Sequence, residues 1–254
     1  MNIITCVKVV PEDVDIQVNA DRTLDYSKAH AVVSTYDLNA IEAAAQLAEA
    51  EGAKLSIVTV GAEFINDSKN NKNILARGAD ELFMAADSAF DSMDAHATAE
   101  TLAKAIEAAG SADLIICGDG SADLYAQQTE VQLACVLGLP FVTAVSKFAL
   151  ENGMLVCERT LENEVETVEL ALPAVVSVLP DIARPRIAGM RDIMKAGKKP
   201  VHQLGSMGMT APESAVELLD TLAPEPAARK GIIFDAAEDG AIDEFVSAIT
   251  EHIR

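Results

Sequence analysis

The chain has no tryptophan, and only 4% of its 254 residues are aromatic. A core without large aromatic side chains must be built from Ala, Val, Leu and Ile. Cations are also scarce: 40 acids stand against 19 Lys and Arg, a formal net charge of −21. So negative a surface repels nucleic-acid phosphates and anionic lipid, and no nucleic-acid partner is expected. It does not exclude a nucleotide held by backbone amides. No apolar run approaches the ~20 residues of a membrane span, so no stable membrane insertion is expected. The start, MNIITCVKVVPED, has no cationic flank before a cleavable apolar stretch, and its acids come early. Neither a secretory nor a mitochondrial leader is expected, and the expected location is cytoplasmic. The four cysteines, Cys6, Cys117, Cys135 and Cys157, form no C-x-x-C pair and read as buried reduced thiols. The four histidines, His30, His96, His202 and His252, are too scattered for a metal motif.

What is present is organised around Ala112–Pro140. Residues 112–117 are nearly all apolar and read as a strand buried on both faces. Gly118 and Gly120 permit a sharp exit and close approach of a ligand to the backbone. Ser121 or Asp123 can cap a helix over 123–137, which Gly138 and Pro140 end. A parallel strand feeding a helix through such a loop leaves free N–H groups, a setting that favours a phosphate. Gln127, Gln128 and Thr129 would add neutral donors in the first turns. Ordinary strand–helix turns share this pattern. G-x-G-x-x-G fails because position 123 is Asp, and G-x-x-x-x-G-K-[ST] is absent.

The flanking pattern predicts strands at Asn2–Val10, Lys54–Val60 and Glu81–Ala85. Helices are expected at Asp37–Glu51, Phe64–Arg77 and Asp94–Ala109, with an extended excursion over 12–33. Alternation of this kind predicts an α/β fold with a doubly wound, mostly parallel, Rossmann-like sheet. Beyond Phe141 the rhythm changes to short alternating strands, Val142–Leu150, Met154–Leu161 and Glu164–Leu170, the first two joined by a hairpin turn at Asn152-Gly153. Pro173–Leu179 is expected to return to the main sheet. Arg184–Lys199 then holds six of the nineteen basic residues against one acid, Asp192. It reads as a docking or anion-facing segment with Ile187, Met190, Ile193 and Met194 as apolar contacts. After Val201 the runs GSMGMTAPES and LAPEPAARKG look like linkers around a short helix (Glu213–Thr221), a strand (Gly231–Phe234) and a terminal amphipathic helix (Ile242–Ile253). Residues 1–202 are therefore expected to form a nucleotide-binding domain. Residues 203–254 would be a C-terminal arm that packs on a partner subunit.

Several stretches together resemble one family. IITCVKVVPE, YDLNAIEAA, ARGADEL, CGDGSADLYAQQT, LPAVVSV and RPRIAGMRDIMKAGKKP are similar to the β subunit of electron transfer flavoproteins, closest to the Fix-type branch. They run from residue 3 to 200. The resemblance implies a heterodimer with a larger flavin-binding α subunit that passes electrons from a dehydrogenase-type donor to an acceptor. The chain would be an electron-carrier subunit and not an enzyme. It would hold AMP as in simple carriers, or a second FAD as in electron-bifurcating relatives; FAD is the first expectation here.

Carried over by position, the nucleotide residues are Cys6 at the first strand end, the loop Ser34, Thr35, Tyr36 and Asp37, and Val60 at the second strand end. Gly118, Asp119, Gly120, Ser121, Ala122 and Asp123 form the main loop, and Gln127, Gln128 and Thr129 the phosphate turn. Ser34-Thr35 replace an Asn-Pro common in the family. Asp119 and Gly120 replace bulkier basic and Gln residues. Asp94 and Thr98 stand where bifurcating relatives approach their second flavin, though Asp94 can equally cap a helix. The 184–199 run matches the loop that docks onto the dehydrogenase, with Met190 at its apolar anchor. The alternative from another class is an adenine-nucleotide sensor of the universal-stress-protein type.

Overall fold

In the computed structural model of the chain, residues 1–210, 213–228 and 231–253 are described. Nine strands form one sheet: β1 (Asn2–Cys6), β2 (Lys54–Gly61), β3 (Glu81–Ala86), β4 (Leu114–Gly118), β5 (Phe141–Glu151), β6 (Met154–Thr160), β7 (Val165–Ala171), β8 (Ala174–Val178) and β9 (Val201–Gln203). Their spatial order is β7-β6-β5-β8-β4-β1-β2-β3-β9. Pairing is parallel everywhere except β5–β6 and β6–β7. The helices are α1 (Thr35–Glu51), α2 (Ser68–Leu75), α3 (Ala95–Ala109), α4 (Thr129–Leu137), α5 (Met190–Ala196) and α6 (Ala241–Ile253).

The central strands read as continuous apolar runs because each feeds two cores. On β1, Ile3 joins a cluster with Ile41, Ala44 and Leu47 of α1, while Ile4 and Cys6 join one with Leu102 and Ile106 of α3 and Leu133 of α4. Helices thus cover both faces, as a doubly wound sheet requires. The chain passes from β1 to β2 to β3 in one direction. It then returns through α3 to β4 on the other side of β1. The switch point lies between the carboxyl ends of β1 and β4, at Cys6 and Gly118, where such sheets open a crevice for ligands.

Several expected elements are shorter or displaced. The first strand stops at Cys6, and Val9–Pro11 leaves to pair with Ala31–Val33 in a separate ribbon. The second helix is only Ser68–Leu75, capped by Asp67, because the preceding residues Glu63–Ile65 form a 3₁₀ turn. The antiparallel strands do not stand apart from the main sheet. They extend it, with β8 inserted between β4 and β5. Asn152 and Gly153 both have positive φ, 52° and 80°, the backbone that a two-residue turn of type I′ demands. Val201–Gln203, read as the start of a linker, pairs with β3 as an edge strand.

In the arm, 213–221 is not helical and 231–234 is not a strand. Val216, Leu218, Leu219 and Ile233 are exposed, so the chain itself offers no packed face to stabilise so short a helix. The terminal helix does form, as Ala241–Ile253. Ala211, Pro212, Arg229 and Lys230 of the two linker-like runs lie outside the described residues. Cys6, Cys117 and Cys157 are buried, but Cys135 faces outward from α4 and is exposed. Among the described residues, no helix is long and apolar enough to cross a membrane.

Candidate functional site

Three segments converge on the crevice: the end of β1, the start of α1 and the loop after β4. Ser34 precedes α1, and its N–H donates to the Lys8 carbonyl at 2.9 Å. Asp37, in the first turn, is fully buried. One of its carboxylate oxygens accepts the Lys8 N–H at 2.7 Å and the other accepts the Gly118 N–H at 3.3 Å. A single carboxylate therefore bolts the two lips of the switch point together. Burial pushes Asp37 up to about 7, against the downward pull of those two donors. A Cβ at Gly118 would lie 2.6 Å from Asp37 Oδ1, so only glycine allows this approach.

The loop over 119–128 is not the helical turn the sequence predicts. α4 begins at Thr129, with Gln128 at an N-cap position that has no side-chain cap. Tyr125 and Gln127 have φ of 46° and 54°, left-handed backbone that a continuing helix cannot accommodate. Neither Ser121 nor Asp123 caps the helix. Ser121 donates to Asp123 Oδ1 at 2.5 Å, and Asp123 Oδ2 takes the Lys8 ammonium at 2.6 Å. Burial raises the Asp123 value, but these two bonds more than offset it and hold the carboxyl below its ordinary range. Ala122 N–H donates to Ser34 Oγ at 3.2 Å. Asp119 is buried and receives Tyr125 Oη at 3.2 Å and Gln127 Nε2 at 2.7 Å. The Tyr125 ring lies over Gly120, where a Cβ would collide with it, and rests on Tyr36 with centroids 5.0 Å apart.

Beneath the crevice, Cys6 and Cys117 sit on neighbouring strands. The Cys117 thiol is pushed well up, first by its hydrogen bond with Cys6 and then by burial. Val60, at the end of β2, is half-buried against the same core. Thr35 and Gln128 are exposed, and Thr129 opens α4 half-buried.

Lys8, Tyr125 and Glu130 carry no assigned role in the sequence reading. Lys8 stands two residues beyond Cys6, and that spacing past a central strand was the available signal. Glu130 is buried in the first turn of α4, and desolvation pushes it up to about 7, with Asp119 adding to the shift.

Asp94 and Thr98 are both hydrogen-bonded within the chain. Asp94 caps α3, with Oδ1 accepting Ala97 N–H at 2.8 Å. Its Oδ2 accepts the N–H groups of Ala215 and Val216 at 2.6 and 3.1 Å, and its own N–H donates to Ser214 Oγ at 3.2 Å. Thr98 Oγ1 donates back to the Asp94 carbonyl at 2.7 Å. Asp94 is thus the peg on which the C-terminal arm hangs.

The 184–199 segment divides into two kinds of residue. Arg186 is spent internally on Glu42, at 2.7 Å, and Glu49, at 2.6 Å. Lys199 donates to the carbonyls of Leu75 and Ala79 at 2.9 and 2.6 Å, closing the end of α2. Arg184, Arg191, Lys195 and Lys198 are exposed, and so are Ile187, Met190 and Met194, at 91%, 82% and 68%. Ile193 turns inward onto the α1-side core.

A comparison with protein families settles the framework in which these features belong. The electron transfer flavoprotein domain matches residues 22–205. This chain belongs to the electron transfer flavoprotein family. The match covers the 119–128 loop, Asp94 and the α5 segment, and it ends as the arm begins. Proteins with this domain are electron carriers, and the membership gives the chain a role in electron transport. It lends no support to a stress-protein sensor.

Proposed function

We propose that this chain is the β subunit of a heterodimeric electron transfer flavoprotein and holds an adenine nucleotide, FAD or AMP, at the β1–β4 switch point. The observation that carries this reading is the convergence at the switch point: Asp37 pins the end of β1 to the loop after β4, and Asp37 and that loop lie within the matched residues 22–205. The residues fit such a ligand. The uncapped start of α4 offers N–H donors for a phosphate. Tyr36 and Tyr125 offer aromatic faces for a flat ring. Micromolar retention requires about 8 kcal/mol, and one hydrogen bond nets about 1. Several strand ends must therefore contribute. A bound FAD would supply electron transfer; this chain's own residues bind and orient it.

AMP has one observation in its favour. Asp94 is committed to the arm, so a larger ligand that reaches it must displace Ala215 and Val216. AMP needs only the crevice. The exposed Ile187, Met190 and Met194, in a segment that also exposes Arg184, Arg191, Lys195 and Lys198 against one acid, Asp192, suit docking onto an acidic-rimmed donor or acceptor. The arm's exposed apolar residues, Ile242, Phe245, Val246 and Ile249 among them, suit burial against an α subunit. The reading is tested by isolating the tagged full chain from its native cells. A one-to-one complex with a flavin-containing subunit is expected. A stable monomer that never captures a flavoprotein contradicts it.

A further inference from the structure

We infer that Lys8 is the cation that grips the phosphate of the bound nucleotide, and that Asp123 holds it in reserve while the site is free. This rests on the nucleotide reading above and assigns the binding residue that the sequence left unnamed. The backbone of Lys8 is fixed at the mouth of the crevice. Its N–H donates to Asp37 at 2.7 Å and its carbonyl accepts the Ser34 N–H at 2.9 Å. The side chain then spans from the β1 lip to the loop after β4, where the ammonium meets Asp123 at 2.6 Å.

The electrostatics of the crevice require such a group. Asp37, Asp119 and Glu130 are all buried around the loop, and Asp123 stands at its edge. Asp37 and Glu130, pushed up to about 7, carry only part of a charge near neutrality, but Asp119 and Asp123 still repel a phosphate, and the positive end of α4 offsets only about half a charge. Among the described residues of the crevice contacts, Lys8 supplies the opposing full charge. Its present pairing is an exchangeable one. The Lys8 and Asp123 side chains are 43% and 33% exposed, so water screens the attraction. A phosphate offers the same ammonium charge-assisted bonds. Asp123 does not lose its other partner, because Ser121 still donates to it at 2.5 Å. Lysine suits this exchange, being a compact charge on a flexible stem.

The test uses the full chain, freed of nucleotide, titrated by calorimetry with AMP and with adenosine, and with FAD and with riboflavin. The wild type is expected to bind each phosphate-bearing ligand more tightly than its phosphate-free counterpart. In Lys8→Met that advantage is expected to fall at least tenfold while adenosine binding stays as it was, and the salt dependence of AMP binding is expected to flatten. Lys8→Arg should recover part of the loss. Asp123→Asn, which frees the ammonium, should tighten AMP severalfold. Circular dichroism and thermal melting establish that each variant is folded. If Lys8→Met fails to fold, the Asp123→Asn and Lys8→Arg results still decide. Wild-type affinity for AMP in Lys8→Met, or weaker AMP binding in folded Asp123→Asn, overturns the inference alone. A wild type that binds none of the four ligands overturns the nucleotide reading and this inference with it.

Discussion

The crevice and the α5 segment stand as opposites. At the crevice, charged groups are answered within the chain: buried Asp37 by two N–H groups, buried Asp119 by Tyr125 and Gln127, and Asp123 at the edge by Lys8 and Ser121. In the α5 segment, large apolar groups are exposed and unanswered, with Ile187, just before the helix, and Met190 and Met194, on it, all more than two-thirds in water. A prebuilt polar site serves a small ligand, because its geometry must exist before binding. An unburied apolar face serves a macromolecule. Each such side chain gains roughly 1.5–3 kcal/mol only when a second surface removes it from water. Arg186 blurs the contrast: it lies in the α5 segment by sequence, yet its charge is answered within the chain by Glu42 and Glu49.

That division makes ordered predictions. Arg186→Ala leaves the carboxylate of Glu42, itself 7% exposed, without its partner, and is expected to destabilise the fold by about 3 kcal/mol. Arg191→Ala, a few residues on, is expected to change stability by less than about 0.5 kcal/mol. Urea denaturation of the two variants checks this, and equal effects would erase the division. Asp37→Asn turns an N–H toward one of two N–H donors and is expected to lose about 2 kcal/mol by the same measurement.

The pH dependence carries the same signature. Asp37 and Glu130 both sit near 7 in the fold, above their ordinary carboxylate values. Between about pH 4.5 and 7 the folded chain therefore binds more protons than the unfolded one, and these two groups make stability fall as pH rises. Glu42, Glu81 and Asp123 are lowered, so their contribution is present above their ordinary values and is lost only in acid. The melting temperature is thus expected to decline from pH 5.5 to 8. Glu130→Gln should flatten that decline; an unchanged slope would show that Glu130 is not the buried acid described.

Asp94→Ala removes a helix cap worth about 1 kcal/mol and unhooks the arm. Faster proteolytic cleavage near Ser214 is expected, and an unchanged cleavage rate would mean that the peg does not hold. The smallest effect on stability, within about 0.5 kcal/mol, is expected for Met190→Ala, because its side chain touches mainly water. Its effect should be on partner affinity instead, weakened at least tenfold in a binding titration.

The parts of the fold that were legible are those where one local pattern serves one purpose. The central strands announced themselves because Ile3 and Ile4, or Leu114 and Ile115, must satisfy opposite cores in turn. The Asn152-Gly153 turn declared its own backbone. The 119–128 loop did not, because left-handed Tyr125 and Gln127 are imposed by contacts with Gly120 and Asp119 and carry no sequence mark of their own. β9 was missed because its three exposed residues contain no apolar run. Charge counting found the basic segment but not its division, since Arg186 meets Glu42 across 144 positions. Lys8 was hidden for the same reason, with Asp123 lying 115 residues away.

The central claim is that this chain contributes a nucleotide site of its own to an electron transfer flavoprotein pair. The direct measurement is to purify the chain with its partner, denature the complex and identify the released nucleotides by chromatography and mass. The account predicts two nucleotides per heterodimer: FAD from the partner, with a second FAD or one AMP from this chain. One FAD and nothing further, or ATP with no flavin, would contradict it.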